Sequence, residues 1–142
     1  MRILAVDWGR RRIGLAVSDP TGVIATALPT LTVGGRVEAI RRVAAVARET
    51  GAERVVVGLP LHMSGARGEA ALAVERFAEG LGRRTDLPVE TYDERLTSAL
   101  SQRRLHEQGV RTGHAKGKVD AGAALALLES YLQRLATRGD TP

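Results

Sequence analysis

Three consecutive valines, Val55-Val56-Val57, stand between Arg54 and Gly58 with no polar residue to alternate against. Successive side chains of a β-strand point to opposite faces, so a strand of this composition needs apolar cover on both sides. Such cover is found in the parallel part of a sheet that carries helices on its faces, and an α/β layering follows.

The flanking sequence supplies the other elements. Ile3-Leu4-Ala5-Val6 is a short apolar run ending on Asp7-Trp8-Gly9, a buried strand followed by a turn. A second strand is predicted over Ile13 to Ser18, with Asp19-Pro20-Thr21-Gly22 as a turn, and a third over about Val23 to Leu28. Three strands in succession suggest an antiparallel meander. Val37, Ile40, Val43, Ala44 and Ala47 then recur at helical spacing, which predicts a helix over about 35–50 stopped by Gly51. Beyond the valines, a helix is expected over roughly 67–82, a fifth strand over Val89 to Asp93, a helix from about Thr97 through Glu107, and a last helix over about 117–136. Parallel strands need long crossovers, so the expected fold is a mixed five-stranded sheet, a meander plus two parallel strands, flanked by helices. At 142 residues this makes one domain, residues 1–136, with 137–142 as a flexible tail.

Several chemistries are removed at once. No cysteine is present, which excludes disulfides, thiolate metal sites and cysteine nucleophiles. The three histidines, at 62, 106 and 114, are too scattered for a zinc pattern. The N-terminal apolar run is shorter than the roughly 7–15 residues of a signal-peptide core, and no stretch approaches the roughly 18 apolar residues of a membrane span. A cytoplasmic protein is expected. Lys and Arg exceed Asp and Glu by 21 to 16, a net charge of +5 that favours polyanionic partners. Aromatic residues are only 3%, so contacts with a nucleic-acid backbone are expected ahead of base stacking.

Four segments could carry chemistry. Asp7 closes the first strand beside Gly9, a position where α/β sheets place ligand sites. Gly9 and Gly14 lead into another strand, which removes a dinucleotide-binding loop from consideration. Asp93 and Glu94 close the fifth strand; adjacent on a strand, they point to opposite faces, so at most one readily shares a site with Asp7 while the other caps a helix or pairs with Arg95. Reach favours Glu94 as the ligand, with Asp93 as the alternative. Asp120 lies in an apolar helical run with Val119, Ala123, Ala124, Leu127 and Leu128, where a carboxylate needs a metal or a donor to compensate it. Finally, Gly58-Leu59-Pro60-Leu61-His62-Met63-Ser64-Gly65 is a loop bordering the same sheet edge, and His62 could touch substrate. Acids from distant segments converging at one edge suit phosphodiester hydrolysis, because hard oxygen ligands hold Mg²⁺ or Mn²⁺ while leaving room for water and phosphate.

The motifs D-W-G-R-R-R-I-G-L-A-V-S-D, V-V-V-G-L-P-L-H-M-S-G, D-E-R-L-T-S and K-V-D-A-G-A-A-L-A-L-L-E-S-Y-L together resemble the YqgF family, also called RuvX, of pre-16S rRNA nucleases and Holliday-junction-resolvase-like proteins. The resemblance runs over about residues 3–133. It implies an RNase H-like fold, a cytoplasmic location and a role in maturing the 5′ end of the small-subunit rRNA precursor. It also implies acids at Asp7, at Asp93 and Glu94 beside Arg95, and at Asp120. The more distant RuvC resolvases carry an acid at the end of the central strand, where this chain has Gly58-Leu59-Pro60, and another three residues before the last Asp, where it has Gly117.

The expectation is therefore a metal-dependent nuclease acting on structured RNA. Asp7, Glu94 and Asp120 are the expected metal ligands, with Asp93 also in the catalytic set. Arg10, Arg11, Arg12, His62, Arg95, Lys116 and Lys118 are expected on the nucleic acid. Alternatives are an endonuclease acting on branched DNA and a non-catalytic nucleic-acid-binding factor in ribosome assembly. The protein is expected as a monomer or homodimer.

Overall fold

The computed structural model describes residues 1–97 and 116–138, and of residues 116–121 the backbone alone. Five strands form one sheet: β1 (Ile3–Trp8), β2 (Arg12–Ser18), β3 (Ala25–Thr32), β4 (Arg54–Leu59) and β5 (Val89–Asp93). Helix α1 (Arg36–Thr50) follows β3, α2 (Glu69–Thr85) joins β4 to β5, a single 3-10 turn (Glu94–Leu96) follows β5, and α3 (Lys116–Thr137) completes the described elements. The order across the sheet is β3-β2-β1-β4-β5. β1 pairs antiparallel with β2, and β2 with β3. The β1–β4 and β4–β5 pairs are parallel. The predicted meander with two parallel strands is what forms. Of the helix predicted from Thr97 through Glu107, all but Thr97 lies outside the described residues.

The valine run occupies an interior strand, as its composition demands. Val55 and Val57 face one apolar cluster, with Leu4, Val6 and the inner faces of α1 and α2. Val56 faces the other, with Ile3, Ala5 and the α3 residues Ala124, Leu127, Leu128 and Tyr131. Phe77 of α2 is fully buried and stacks on Trp8 with ring centroids 5.7 Å apart. Removing such a side chain typically costs about 3–5 kcal/mol. On the other face, the Tyr131 hydroxyl lies between Arg54, which donates to it at 2.9 Å, and Glu90, to which it donates; Tyr92 and Ser130 share a 2.8 Å hydrogen bond beside it. These contacts fix where α3 packs against β4 and β5.

Three boundaries differ from the sequence expectation, each for a local reason. β3 begins at Ala25 rather than Val23 because the Asp19 carboxylate accepts the amides of Val23 and Ile24, at 2.8 and 2.9 Å, and keeps them in the turn. It then continues to Thr32 despite Pro29: β3 is an edge strand, where a missing N–H is tolerated, and its register shifts there between the Ile13–Leu31 and Leu15–Leu28 pairs. α2 passes through Gly82 and ends at Thr85, capped by Asp86 in the left-handed region at φ 59°. No helix among the described residues is long and apolar enough to cross a membrane.

Candidate active site

Alternation along β1 decides where Asp7 points. Leu4 and Val6 belong to the α1–α2 face, while Ile3 and Ala5 belong to the α3 face, so Asp7 falls on the α3 side at the carboxyl end of the strand. In β4 the same count puts Val56 and Gly58 on that side. In β5 it does so for Tyr92, which packs into the α3 cluster, and for Glu94 two residues on. The parallel register sets Gly58 opposite Tyr92 and Leu59 opposite Asp93. β4 lies between β1 and β5, so the side chains of Asp7 and Glu94 have to meet across it.

Gly58 makes the meeting possible. A Cβ on Gly58 would lie 2.8 Å from Glu94 Oε1, 3.1 Å from its Cγ and 3.3 Å from its Cδ, so the glutamate occupies the space that a side chain there would fill. Its carboxyl group hydrogen-bonds that of Asp7. Burial, then the negative charge of Asp7, push the Glu94 carboxyl up to about 7, with Asp93 adding a smaller push. Two carboxyl groups pressed together require either a shared proton or a cation. A pair of hard oxygen donors at a strand edge therefore fits a divalent ion of the Mg²⁺ or Mn²⁺ type.

Asp93 turns the other way. Its carboxylate caps the 3-10 turn by accepting the Arg95 amide at 2.9 Å, and it also accepts from the Arg95 guanidinium, with Nε to Oδ2 at 3.0 Å and Nη2 to Oδ2 at 2.7 Å. The guanidinium holds this carboxyl below the usual range, and the carboxylate in turn raises Arg95. Arg95 also donates from Nη1 to the Met63 carbonyl at 3.2 Å. The Asp93–Glu94 pair is thus divided: Glu94 goes to Asp7, and Asp93 to Arg95.

Asp120 lies in the first turns of α3, among the residues described by backbone alone. It precedes Tyr131 by eleven residues, about 16 Å of helix, while Gly58 follows Arg54 by four residues, about 13 Å of strand. Tyr131 is anchored at the start of β4, and residues 129–136 lie beside the Gly22–Ala25 turn at the opposite end of the sheet from Asp7. The same C-terminal half of α3, through Ser130, Gln133, Arg134 and Thr137, also borders Leu96, two residues after Glu94. Position 120 is also in helical phase with the buried Ala124, Leu127 and Tyr131. Among the described residues alone, no group of three potential ligands forms. Lys116 and Lys118 belong to the same first turns of α3.

The arginines open the site to solvent. A shallow groove of about 420 Å³ is lined by Asp7, Trp8, Gly9, Arg10, Arg11, Arg12 and Gly14. Arg10 and Arg11 are exposed at the β1–β2 hairpin tip, and Arg12 is half-buried. His62 is exposed in the loop after β4, its ring lying over Gly68, where an added Cβ would come within 2.6 Å of Nε2. The sequence analysis has Gly58 opening the loop that borders the site; it lies instead within β4, where its missing side chain makes room for Glu94.

A family model described as "RuvX: Holliday junction resolvase" matches residues 1–134. A Chloroflexus aurantiacus protein named "Putative pre-16S rRNA nuclease" is 43% identical over 130 residues, covering 92% of this chain and 85% of its own. One of the same name from Anaeromyxobacter dehalogenans is 43% identical over 136 residues, covering 96% and 99%. Among solved structures, T. thermophilus RuvC in complex with Holliday junction substrate matches with a TM-score of 0.65 at 18% identity, covering 99% of this chain and 98% of that one. The fowlpox virus Holliday junction resolvase matches with a TM-score of 0.60 at 16% identity, covering 95% and 100%. The expected RNase H-like fold is borne out by this likeness.

Proposed function

The chain belongs to the RuvX family, and from that premise we propose that it is a metal-dependent nuclease that hydrolyses phosphodiester bonds in structured RNA, processing the 5′ end of pre-16S rRNA in the cytoplasm. The observation that carries this reading is the carboxyl pair of Asp7 and Glu94 over the bare backbone of Gly58. Asp7 and Glu94, joined by Asp120 from α3, would hold Mg²⁺ or Mn²⁺. When bound, the ion supplies positive charge against the phosphate and acidifies water, effects worth several kcal/mol.

The chain's own residues do the rest. Glu94 gives up its proton on loading, since a protonated carboxyl is a poor ligand. Arg10 and Arg11 at the hairpin tip attract the polyanion and draw its backbone along the groove that ends at Asp7. In this reading Lys116, Lys118 and His62 supply further contacts to the polyanion. Gly58 leaves the room in which the Glu94 carboxyl reaches Asp7.

Hydrolysis of branched DNA is the second reading, favoured by the description of the matching family model. The glycines at 58 and 117, where RuvC resolvases carry acids, weigh against it. Wild type and Asp7→Asn incubated with labelled precursor rRNA, single-stranded RNA and a DNA four-way junction, with and without Mn²⁺, separate the readings. Metal-stimulated trimming of precursor rRNA that Asp7→Asn abolishes is the expected result. Paired symmetric nicks in the junction alone would favour the DNA reading. Full activity of Asp7→Asn would remove both.

A further inference from the structure

We infer that Asp93 and Arg95 form an internal brace that positions Glu94 and latches the loop after β4 to the active-site edge, rather than serving as a metal ligand and a phosphate ligand. The inference rests on the nuclease reading for its activity readout and on geometry alone for its structural one.

Most of the polar contacts of the pair are with each other. Asp93 Oδ1 accepts the Arg95 amide, which fixes the turn containing Glu94, and the two Asp93 oxygens take Nε and Nη2 of the same residue in a fork. A fork of this kind fixes direction as well as distance. The remaining terminal nitrogen, Nη1, reaches the Met63 carbonyl across the site. It also lies 3.6 Å from where a Gly65 Cβ would stand, and Gly65 is in the left-handed region at φ 89°. The loop is tight on its own account: Gly65 donates to the His62 carbonyl at 2.8 Å, His62 donates to the Ala66 carbonyl at 3.0 Å, and Leu61 bridges Arg67. Arg95 ties this hairpin to the active-site turn, while an Arg67–Glu75 ion pair at 3.0 Å ties its far strand to α2. Thr97 closes the far side of the turn, donating from its hydroxyl to the Glu94 carbonyl at 2.8 Å. Glu94 is therefore gripped by its neighbours on both sides, while its own carboxyl is left for Asp7.

The test uses Asp93→Ala, Arg95→Ala, Arg95→Lys and the Asp93→Ala/Arg95→Ala double variant. The readouts are Mn²⁺ affinity, kcat and KM on labelled precursor rRNA, and amide hydrogen exchange. Each single alanine variant is expected to lower kcat at least tenfold with KM changed less than threefold, and the double variant to be no worse than either, because both break one device. Arg95→Lys should fail to rescue, since lysine keeps the charge but loses the fork. Exchange at the His62 and Gly65 amides should rise at least tenfold in both Arg95 variants. A higher KM with unchanged kcat and a salt slope lowered by about one in Arg95→Ala would make it a phosphate ligand and overturn the brace. So would loss of Mn²⁺ binding in Asp93→Ala but not in Arg95→Ala. If the wild type shows no metal-stimulated turnover, the nuclease reading fails by itself, and hydrogen exchange still decides the brace: unchanged protection in Arg95→Ala would refute it.

Discussion

Asp7 and Glu94 face each other across the end of a strand to which neither belongs, and Gly58 of that strand provides the room. A side chain in the middle position would force the two carboxyl groups apart.

Gly58→Ala tests this directly. The added methyl group would stand 2.8 Å from Glu94 Oε1, so the glutamate must swing away from Asp7. We predict a drop of at least tenfold in Mn²⁺ affinity and in kcat, with stability changed by no more than about 1 kcal/mol because the atoms that yield belong to a flexible side chain. Isothermal titration with Mn²⁺ and thermal unfolding of the same sample measure both.

Glu94→Gln should abolish cleavage and alter the pH dependence of the metal-free protein. The Glu94 carboxyl is raised from 4.5 to about 7 in the folded state, so the folded protein binds the extra proton between those values. The associated stability is fully present below pH 4.5 and is lost as pH rises through about 7. Metal-free wild type should therefore lose stability over that window while Glu94→Gln does not. At pH 8 the variant should be the more stable by on the order of 1–2 kcal/mol, one pH unit being worth about 1.4 kcal/mol before screening at a part-exposed site. Urea denaturation at pH 5 and pH 8 reads the sign; a wild type as stable at pH 8 as at pH 5 relative to the variant would contradict it.

Arg10→Ala/Arg11→Ala should weaken RNA binding without touching the carboxyl pair. Expected are a raised KM, an unchanged kcat and a salt slope of log affinity reduced by roughly 1.5–2, one phosphate contact for each arginine. Filter binding over a series of KCl concentrations gives the slope, and an unaltered slope would move the RNA elsewhere.

Tyr131→Phe removes the hydroxyl that joins Arg54 to Glu90. A loss of about 1–2 kcal/mol is expected from the hydrogen bonds given up, seen as a Tm lowered by several degrees. Cleavage well below the Tm should be retained, because the hydroxyl's partners are Arg54 and Glu90 and neither Asp7 nor Glu94.

The layering of this fold was legible because burial leaves a local trace: Val55-Val56-Val57 announces an interior strand, and the spacing of Val43 and Ala47 announces a helix. The limits of β3 were not, because they depend on Asp19 reaching forward to two amides and on a proline being tolerated at an edge. In the site, alternation alone separates Asp93 from Glu94 onto opposite faces. Which of them meets Asp7 depends on the register of β5 against β4, and no residue near position 94 carries that information. The same holds for Gly58, whose importance comes from what a distant glutamate does above it.

Since Asp7 is on the first strand and its mate follows the last, the acidic pair can be assembled only once β5 has docked on β4. A nascent chain that has threaded β1 through β4 out of the synthesising ribosome possesses one half of the pair and nowhere to complete it. Pairing of the two carboxyl groups is thus tied to the docking of β5, and a chain that lacks β5 has no such pair.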